Sequence, residues 1–356
     1  MTKIAGTLIC AGAIALFAAT VAAQQTIDFT VAAGQPPRAL PSLAKVGEFF
    51  IPEVKRRVKE AGLNVDIRWK EAYAGSLLKP MQMLDGVKDG IATIGYVPSV
   101  FYPDKLPLEQ LSFYVPFMTS DVVLVSTVMA KLHKALPEFA AQYHKFNQVR
   151  IGGSGVDSYE LLTTFPVRTL EDLKGKKIGT GGIALAWLRG LGATGVQSNM
   201  MEYYNSISTG VYQGTIIMPS TFKAMKYPEV APYVTKVGFG AQYAVVLTVN
   251  KDVFDKLPAE LQKILFDVGA QWGVQSDKAY MTAGDDGYKS LAEFKASLYE
   301  LPRAEQARWA NTMPNLAKEW GQAMDKQGLP GTKALAMFMD EMRKAGVRPI
   351  RDWDKE

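Results

Sequence analysis

Cysteine and histidine are nearly absent from this 356-residue chain, which excludes several kinds of chemistry. Cys10 is its only cysteine, and His133 and His144 are its only histidines. Without Cys10 the chain can form no disulfide, thiolate nucleophile or cysteine-based metal site. The sequence has no H-E-x-x-H motif, and a Ser–His pair is not expected with so few histidines. We therefore predict no enzyme activity, no metal and no cofactor, with both histidines on the surface of one helix.

Basic and acidic residues are nearly balanced, with 40 Lys and Arg against 35 Asp and Glu. The formal net charge is +5, and 21% of the residues are charged. A mildly basic chain of this kind can attract small anions but gives no reason to expect nucleic acid as a partner. The basic run KRRVK at 55–59 alternates with apolar positions at helical spacing, which is typical of a solvated helix face. The apolar fraction of 48% is ordinary for a globular protein.

The first 23 residues have the pattern of an export signal. Lys3 gives a positive start, residues 4–21 are almost entirely apolar or small, and Val21-Ala22-Ala23 predicts cleavage before Gln24. The alternative is a membrane anchor, because the apolar run is about long enough to span a bilayer. The alanine-rich composition of this apolar run and the small residues at its end favour cleavage. We therefore predict a periplasmic protein, with about 330 residues available for two domains.

Hydrophobic periodicity beyond the signal predicts alternating strands and helices. The predicted strands are 27–32, 64–69 and 91–96, separated by predicted helices at 42–61 and 81–89. This order indicates an α/β fold with a parallel sheet. A longer helix is predicted over 120–143, and the chain beyond Pro258 has a nearly continuous helical pattern.

A glycine-rich turn follows the strand predicted at 176–179. Gly179-Thr180-Gly181-Gly182 fits G-x-G-x-x-A through Ala184 and precedes a predicted helix at 183–191. This is a weak dinucleotide fingerprint, and an exported protein seldom holds a nicotinamide cofactor. The same turn could bind an anion through backbone N–H groups, or it could bind no ligand at all.

Four segments together resemble the solute-binding proteins of TRAP transporters, the DctP family. They are YAGSLLKPMQMLDGVKDGIATIGYVPSVFYPDKLPL, PVRTLEDLKGKKI, LGATGV followed by GVYQG, and YPEVAPYVT followed by VNKDVFDKLPAELQKIL. The resemblance implies a two-domain periplasmic-binding-protein-like α/β fold with a hinge, an interdomain cleft and a long helix spanning both domains. It also implies a small-molecule ligand and membrane permease subunits as partners. We expect a monomer.

The resemblance predicts three parts of the chain. Residues 1–23 are the signal peptide. Domain I comprises 24–155 plus 245–285, and domain II comprises 156–244 plus 286–356.

Several positions depart from the family pattern. The family arginine that binds a substrate carboxylate is Gly179 here, and a second basic position is Tyr159. A pocket aromatic becomes Met200. The acidic residues with which some members bind metal become Thr215-Ile216-Ile217-Met218. These replacements predict a less charged, more apolar pocket without metal.

Two ligand classes remain open. One is an organic acid held by the Gly179–Gly182 backbone and by hydroxyls, with Arg150, Arg168 or Arg189 as a substitute cation. The other is a neutral or aromatic compound. We expect an apolar or aromatic organic acid, with an exported enzyme using the glycine turn for a phosphate-bearing substrate, or a ligand sensor, as alternatives. The predicted ligand-binding residues are Tyr73, Tyr96, Val97, Ser154, Tyr159, Gly179, Thr180, Gly181, Met200, Met218 and Phe222, with Trp187 as a further apolar candidate.

Overall fold

The computed structural model describes residue 2 and residues 24–356. The predicted export signal, and the membrane anchor that is its alternative, therefore lie outside the described residues except at residue 2. Within the described part of the chain, no helix combines the length and the apolar character that crossing a bilayer requires.

Residues 24–356 form eleven strands and thirteen α-helices. The strands β1 to β11 are Gln25–Ala32, Val65–Ala72, Ile94–Pro98, Gln148–Val156, Glu160–Thr163, Lys177–Thr180, Thr194–Gln197, Gly214–Ile217, Tyr233–Lys236, Gln242–Asn250 and Ser297–Glu300. The helices α1 to α13 are Pro41–Lys45, Ile51–Glu60, Met83–Lys88, Val122–Ala135, Glu138–His144, Tyr203–Ser208, Phe222–Met225, Tyr227–Val230, Lys251–Phe254, Ala259–Ser290, Arg303–Thr312, Leu316–Lys326 and Gly331–Lys344. A π-helical turn, Val46–Phe50, joins α1 to α2. Short 3-10 helices are Pro37–Ala39, Pro80–Gln82, Ser99–Phe101, Pro107–Tyr114, Leu170–Leu173, Gly182–Leu188 and Pro219–Thr221.

The strands divide into two sheets. The first sheet has the order β2-β1-β3-β10-β4, and the second has the order β11-β9-β5-β8-β6-β7. The three strands predicted from the sequence do form a parallel group, because β1 runs parallel to both β2 and β3. Each sheet as a whole is mixed. Strand β10 runs antiparallel to β3 and β4, and β5 runs antiparallel to β8 and β9. The chain enters β5 and β10 directly from the other sheet rather than through a crossover helix, so neither strand has to run parallel to its neighbours.

Two crossing segments, residues 157–159 and 237–241, carry the chain between the sheets. They bind each other, since Tyr159 N donates to Gly240 O at 3.3 Å and Gly240 N donates to Ser158 Oγ at 3.2 Å. The residue limits of the two domains stay a prediction.

The C-terminal helices also contact residues near 107–131, because Trp320 Nε1 donates to Pro107 O and Lys131 pairs with Glu341.

The 32-residue helix α10 is packed directly against backbone at two glycines that lie 18 residues apart, Gly269 and Gly287. It is about 48 Å long at 1.5 Å per residue. A Cβ added at Gly269 would lie 2.2 Å from Ile151 O of β4, and one at Gly287 would lie 2.0 Å from Pro219 O. Strand β4 belongs to the first sheet, and Pro219 follows β8 of the second. The helix therefore spans both sheets, and its glycines allow backbone-to-backbone contact with each.

The long helix predicted over 120–143 is two helices, α4 and α5. Proline at 137 lacks a backbone N–H and restricts the residue before it, so Leu136 is extended, with φ −124° and ψ 98°. His133, on α4, faces inwards, with a side chain that is only 9% exposed. Its Nε2 lies 3.0 Å from Oε1 of the buried Glu109, and burial together with the nearby Arg150 guanidinium holds the pKa of His133 below its usual range. The prediction of a surface position was wrong for His133, whereas His144 is exposed.

The close contact at Gly269 gives a stability prediction. Gly269→Ala should lower the free energy of unfolding by about 1–3 kcal/mol or more, because the new methyl group meets fixed backbone. Gly321→Ala in α12 is the control, because its Cβ would meet Thr332 N at an ordinary 3.4 Å and alanine favours helix by about 1 kcal/mol. Urea unfolding curves measure both changes. Equal stabilities of the two variants would contradict the close packing of α10.

Candidate functional site

A cavity of about 60 Å³ lies between the two sheets. It is reached by the carboxyl ends of parallel strands from both sheets, including β3, β6 and β8, which is where open α/β sheets bind ligands. Helix α10 contributes Tyr280. The lining residues are Gln35, Leu40, Pro98, Val100, Phe101, Val156, Tyr159, Thr180, Gly181, Met200, Tyr203, Ile217, Met218, Ala244, Val245 and Tyr280. The surface of the cavity is therefore mostly apolar and aromatic.

The polar lining groups are one amide and several hydroxyls. Gln35 follows β1 and is only 2% exposed, and its Oε1 has no hydrogen-bond partner among the described residues. Thr180 Oγ1 donates to Ile216 O at 3.3 Å. The Tyr280 hydroxyl lies 3.1 Å from Ser42 Oγ. Gln35 is thus a buried lining side chain with unused hydrogen-bonding capacity.

Among the residues that the structure describes, the side chains that line the cavity carry no formal charge. None of the described lining residues is Lys, Arg or His. Burial is the main reason why the pKa values of Tyr159 and Tyr280 lie above their usual range, and the neighbouring Asp157 carboxyl raises both further. A ligand carboxylate placed here would find no cationic partner on the cavity wall.

Three buried carboxyls stabilise the region where the chain crosses between sheets. Asp157 accepts hydrogen bonds from Ser220 N at 2.9 Å and Ser220 Oγ at 2.6 Å. Glu160 accepts from Gly238 N at 2.8 Å. On α10, Asp277 Oδ1 accepts from Gly155 N at 3.0 Å. Burial raises the pKa of each carboxyl to about 7.

These carboxyls are too far dispersed to form a metal site. The described residues contain no group of three or more His, Cys, Asp or Glu side chains that could hold a metal ion. Their hydrogen-bond partners are serines and backbone amides, which is the arrangement of structural links rather than of a cation site.

A comparison with models of known protein families identifies the family. The model of the bacterial extracellular solute-binding proteins, family 7 (DctP), matches residues 53–323. The chain belongs to this family.

Relatives of this family-7 protein share its fold along most of the chain. A solute-binding protein of Sulfitobacter sp. (strain NAS-14.1) is 30% identical over 195 residues, 53% of this chain and 55% of the relative. The chain therefore spans about half the length of that curated relative. A TRAP solute-binding protein from Rhodoferax ferrireducens T118, in complex with copurified benzoate, superimposes with a TM-score of 0.79 at 19% identity, covering 90% of this chain and 98% of the other. One from Bordetella bronchiseptica with bound (R)- and (S)-mandelate gives 0.76 at 22% identity, covering 90% and 99%. These structures confirm the two-domain periplasmic-binding-protein-like fold.

The structure brings five of the predicted ligand-binding residues together. Tyr159, Thr180, Gly181, Met200 and Met218 all line the cavity. They come from β6, from the end of β8, from the crossing segment and from the turn before α6. Their direct role in binding stays a prediction.

The other predicted ligand-binding residues lie away from the cavity wall. Tyr96 bonds to Ser42 Oγ at 2.7 Å, and Ser154 Oγ lies 2.8 Å from Asp277 Oδ1. The ring of Phe222 packs edge-on against Tyr288, and the indole of Trp187 stacks on Phe239. Tyr73 and Val97 also do not line the cavity. These side chains therefore pack against other residues or form hydrogen bonds within the protein, and they do not form the cavity wall.

The position of the family arginine is occupied by another side chain. A Cβ at Gly179 would lie 2.4 Å from Cζ of Tyr212, whose hydroxyl lies 3.0 Å from Ser198 Oγ. Gly179 does not line the cavity, whereas the next residue, Thr180, does. A larger side chain at position 179, such as the arginine that the family resemblance predicts there, would therefore meet the ring of Tyr212.

No candidate substitute arginine reaches the cavity. Arg150 is enclosed in the first domain, where it bonds to the Tyr243 hydroxyl. Arg189 pairs with Glu319 at 2.9 Å, and Arg168 is exposed. The cavity wall is therefore without an arginine within the described residues.

The glycine turn makes an interdomain contact. The helix predicted at 183–191 is a seven-residue 3-10 helix, Gly182–Leu188. Gly182 has φ +58°, and a Cβ there would lie 2.4 Å from Val100 O. Val100 follows β3 of the first sheet, so glycine at 182 permits the two lobes to touch.

Sequence reasoning missed Gln35, Phe101, Tyr203 and Tyr280. Gln35 had one usable signal, because it stands in the break directly after the first strand, at the edge where parallel strands end. The sequence held no signal that Tyr280 lines a cavity, since a tyrosine on the buried face of a helix is equally consistent with ordinary core packing.

The contact between Gly179 and Tyr212 makes a prediction about arginine at this position. Gly179→Arg should lower the free energy of unfolding by about 1–3 kcal/mol and should not create succinate binding, because the ring of Tyr212 blocks the side chain. Adding Tyr212→Ala should restore part of that loss. Lys177→Arg, on the exposed part of β6, is the control. Urea unfolding and succinate titration calorimetry measure these effects, and succinate binding by the single variant would refute the argument.

The buried carboxyls predict a pH dependence of stability. A carboxyl whose pKa is raised on folding stabilises the fold fully below its unfolded pKa of about 4, and this contribution is lost as pH rises through about 7. The free energy of unfolding should therefore decline between these pH values. Asp277→Asn keeps the Oδ1 acceptor but cannot ionise, so the decline should shrink by roughly 1–3 kcal/mol.

The exposed Asp267, on the same helix, provides the control for this pH dependence. Asp267→Asn should leave the decline unchanged, because its side chain is half exposed. Urea unfolding at pH 4.5 and pH 8 distinguishes the two variants. An unchanged decline in Asp277→Asn would show that Asp277 ionises freely in the folded protein.

Proposed function

We propose that this protein is the extracytoplasmic solute-binding subunit of a TRAP-type transporter. It captures a small apolar or aromatic organic acid between its two lobes and delivers it to membrane permease subunits. The observation that supports this most directly is the interdomain cavity, which is lined by apolar and aromatic side chains from both sheets in a chain of this family.

Capture proceeds by closure of the two lobes. A ligand that contacts both lobes binds the closed form better than the open form and so shifts the population towards closure. The crossing segments 157–159 and 237–241 connect the lobes and are the natural hinge. Separation of the lobes would widen the cavity of about 60 Å³ between them and admit a cargo. Met200 and Met218 can adjust to the shape of the cargo because methionine is flexible.

Ligands of similarly folded proteins support an aromatic cargo. The Rhodoferax protein was obtained with benzoate and the Bordetella protein with mandelate. The rings of Phe101, Tyr159 and Tyr203 on this cavity wall suit the flat faces of such compounds. The enzyme alternative gains no support, because Gly182 of the glycine turn packs on Val100 instead of facing an open phosphate site.

Ligand-induced stabilisation tests the proposal. Among small organic acids at millimolar concentration, at least one aromatic acid should raise the melting temperature in proportion to the logarithm of its concentration. Tyr159→Phe should reduce this rise, because it removes a hydroxyl at the cavity wall. Tyr233→Phe, on the partly exposed strand β9, should leave the rise unchanged. If no acid raises the melting temperature, capture of organic acids is refuted.

A further inference from the structure

The amide of Gln35 shows which polar group this cavity can receive. Gln35 lines the cavity, is 2% exposed, and its Oε1 has no hydrogen-bond partner in the described residues. A buried carbonyl oxygen without a donor is costly, so a bound ligand is favoured if it donates a hydrogen bond to it. A carboxylate has only acceptor oxygens and cannot do so.

The charges around the cavity disfavour a carboxylate for a separate reason. The described lining residues include no cation, and the Asp157 carboxyl acts on the lining hydroxyls of Tyr159 and Tyr280. Burying an anion without a cationic partner is strongly unfavourable. An uncharged group avoids this cost entirely.

The cation nearest in sequence does not change this conclusion. Arg38 follows Gln35 by three residues but is exposed. It lies in a separate groove with Tyr204, Met225 and Lys226 and is not among the residues that line the cavity.

We infer that the cavity binds the polar end of its cargo in an uncharged form that both donates and accepts a hydrogen bond, as a carboxamide or an undissociated carboxyl does. Gln35 pairs with this end, and the aromatic and methionine side chains surround the apolar remainder. The inference rests on the proposed function and specifies the chemical class of the cargo.

Matched acids and amides test this specificity. Benzoate is compared with benzamide, and mandelate with mandelamide, on the full exported chain at one pH of 7.5 and one ionic strength. At a single pH the buried carboxyls with pKa near 7 are in the same state in every arm. Titration calorimetry should give at least tenfold tighter binding for an amide than for its acid.

Two variants assign the preference to Gln35. Gln35→Leu keeps a similar volume but removes the amide, so the advantage of the amide ligand should fall to less than threefold. Gln271→Leu, on the exposed face of α10, should leave it unchanged. The comparison on the unmodified protein needs no variant and stands even if Gln35→Leu fails to fold.

The outcomes separate this inference from the proposed function. Acids that bind as tightly as their amides overturn the inference and leave the transport proposal intact. If that acid binding is lost in Arg38→Gln, the exposed arginine rather than the cavity recognises the anion, which also overturns it. If neither member of any pair binds and no organic acid raises the melting temperature, both proposals fall.

Discussion

The contact of helix α10 with backbone of both sheet regions is the constraint on which the rest of the structure depends. Gly269 lies against β4 of the first sheet and Gly287 against the turn after β8 of the second, each too close for a side chain. Between them Asp277 accepts a hydrogen bond from Gly155 N, and Tyr280 faces the cavity. This helix therefore contacts β4, the crossing region and one wall of the cavity.

The cavity that results differs in its electrostatics from a site built around an arginine. Tyr212 fills the space beside Gly179, and the arginines considered as substitutes have partners elsewhere or are exposed. What remains is an apolar wall with hydroxyls, one buried amide and a neighbouring carboxyl. Such a surface selects a ligand by shape and by neutral hydrogen bonds, because no fixed positive charge compensates an anion.

Two of the buried carboxyls lie beside the segments that cross between the lobes. Asp157 and Glu160 bind groups on neighbouring segments beside the positions where the chain crosses between lobes. Burial favours the neutral forms of these carboxyls. Their hydrogen bonds therefore stabilise the fold more at low pH than at a pH where the carboxyls are ionised. Residues that position the hinge thus differ from those that contact the cavity, although Tyr159 belongs to both regions.

The sequence by itself determined the family, the alternation of strands and helices, and the glycine at position 179, because these depend on local patterns and on single positions. It also identified Tyr159, Thr180, Gly181, Met200 and Met218, which the fold brings together around one cavity. Only the tertiary structure decided the antiparallel β5 and β10, the inward-facing His133, the ring of Tyr212 beside Gly179 and the unpaired Gln35. Each of these depends on contacts between residues distant in the chain, and a side chain's own type does not reveal which distant partner will bury it or leave it unpaired.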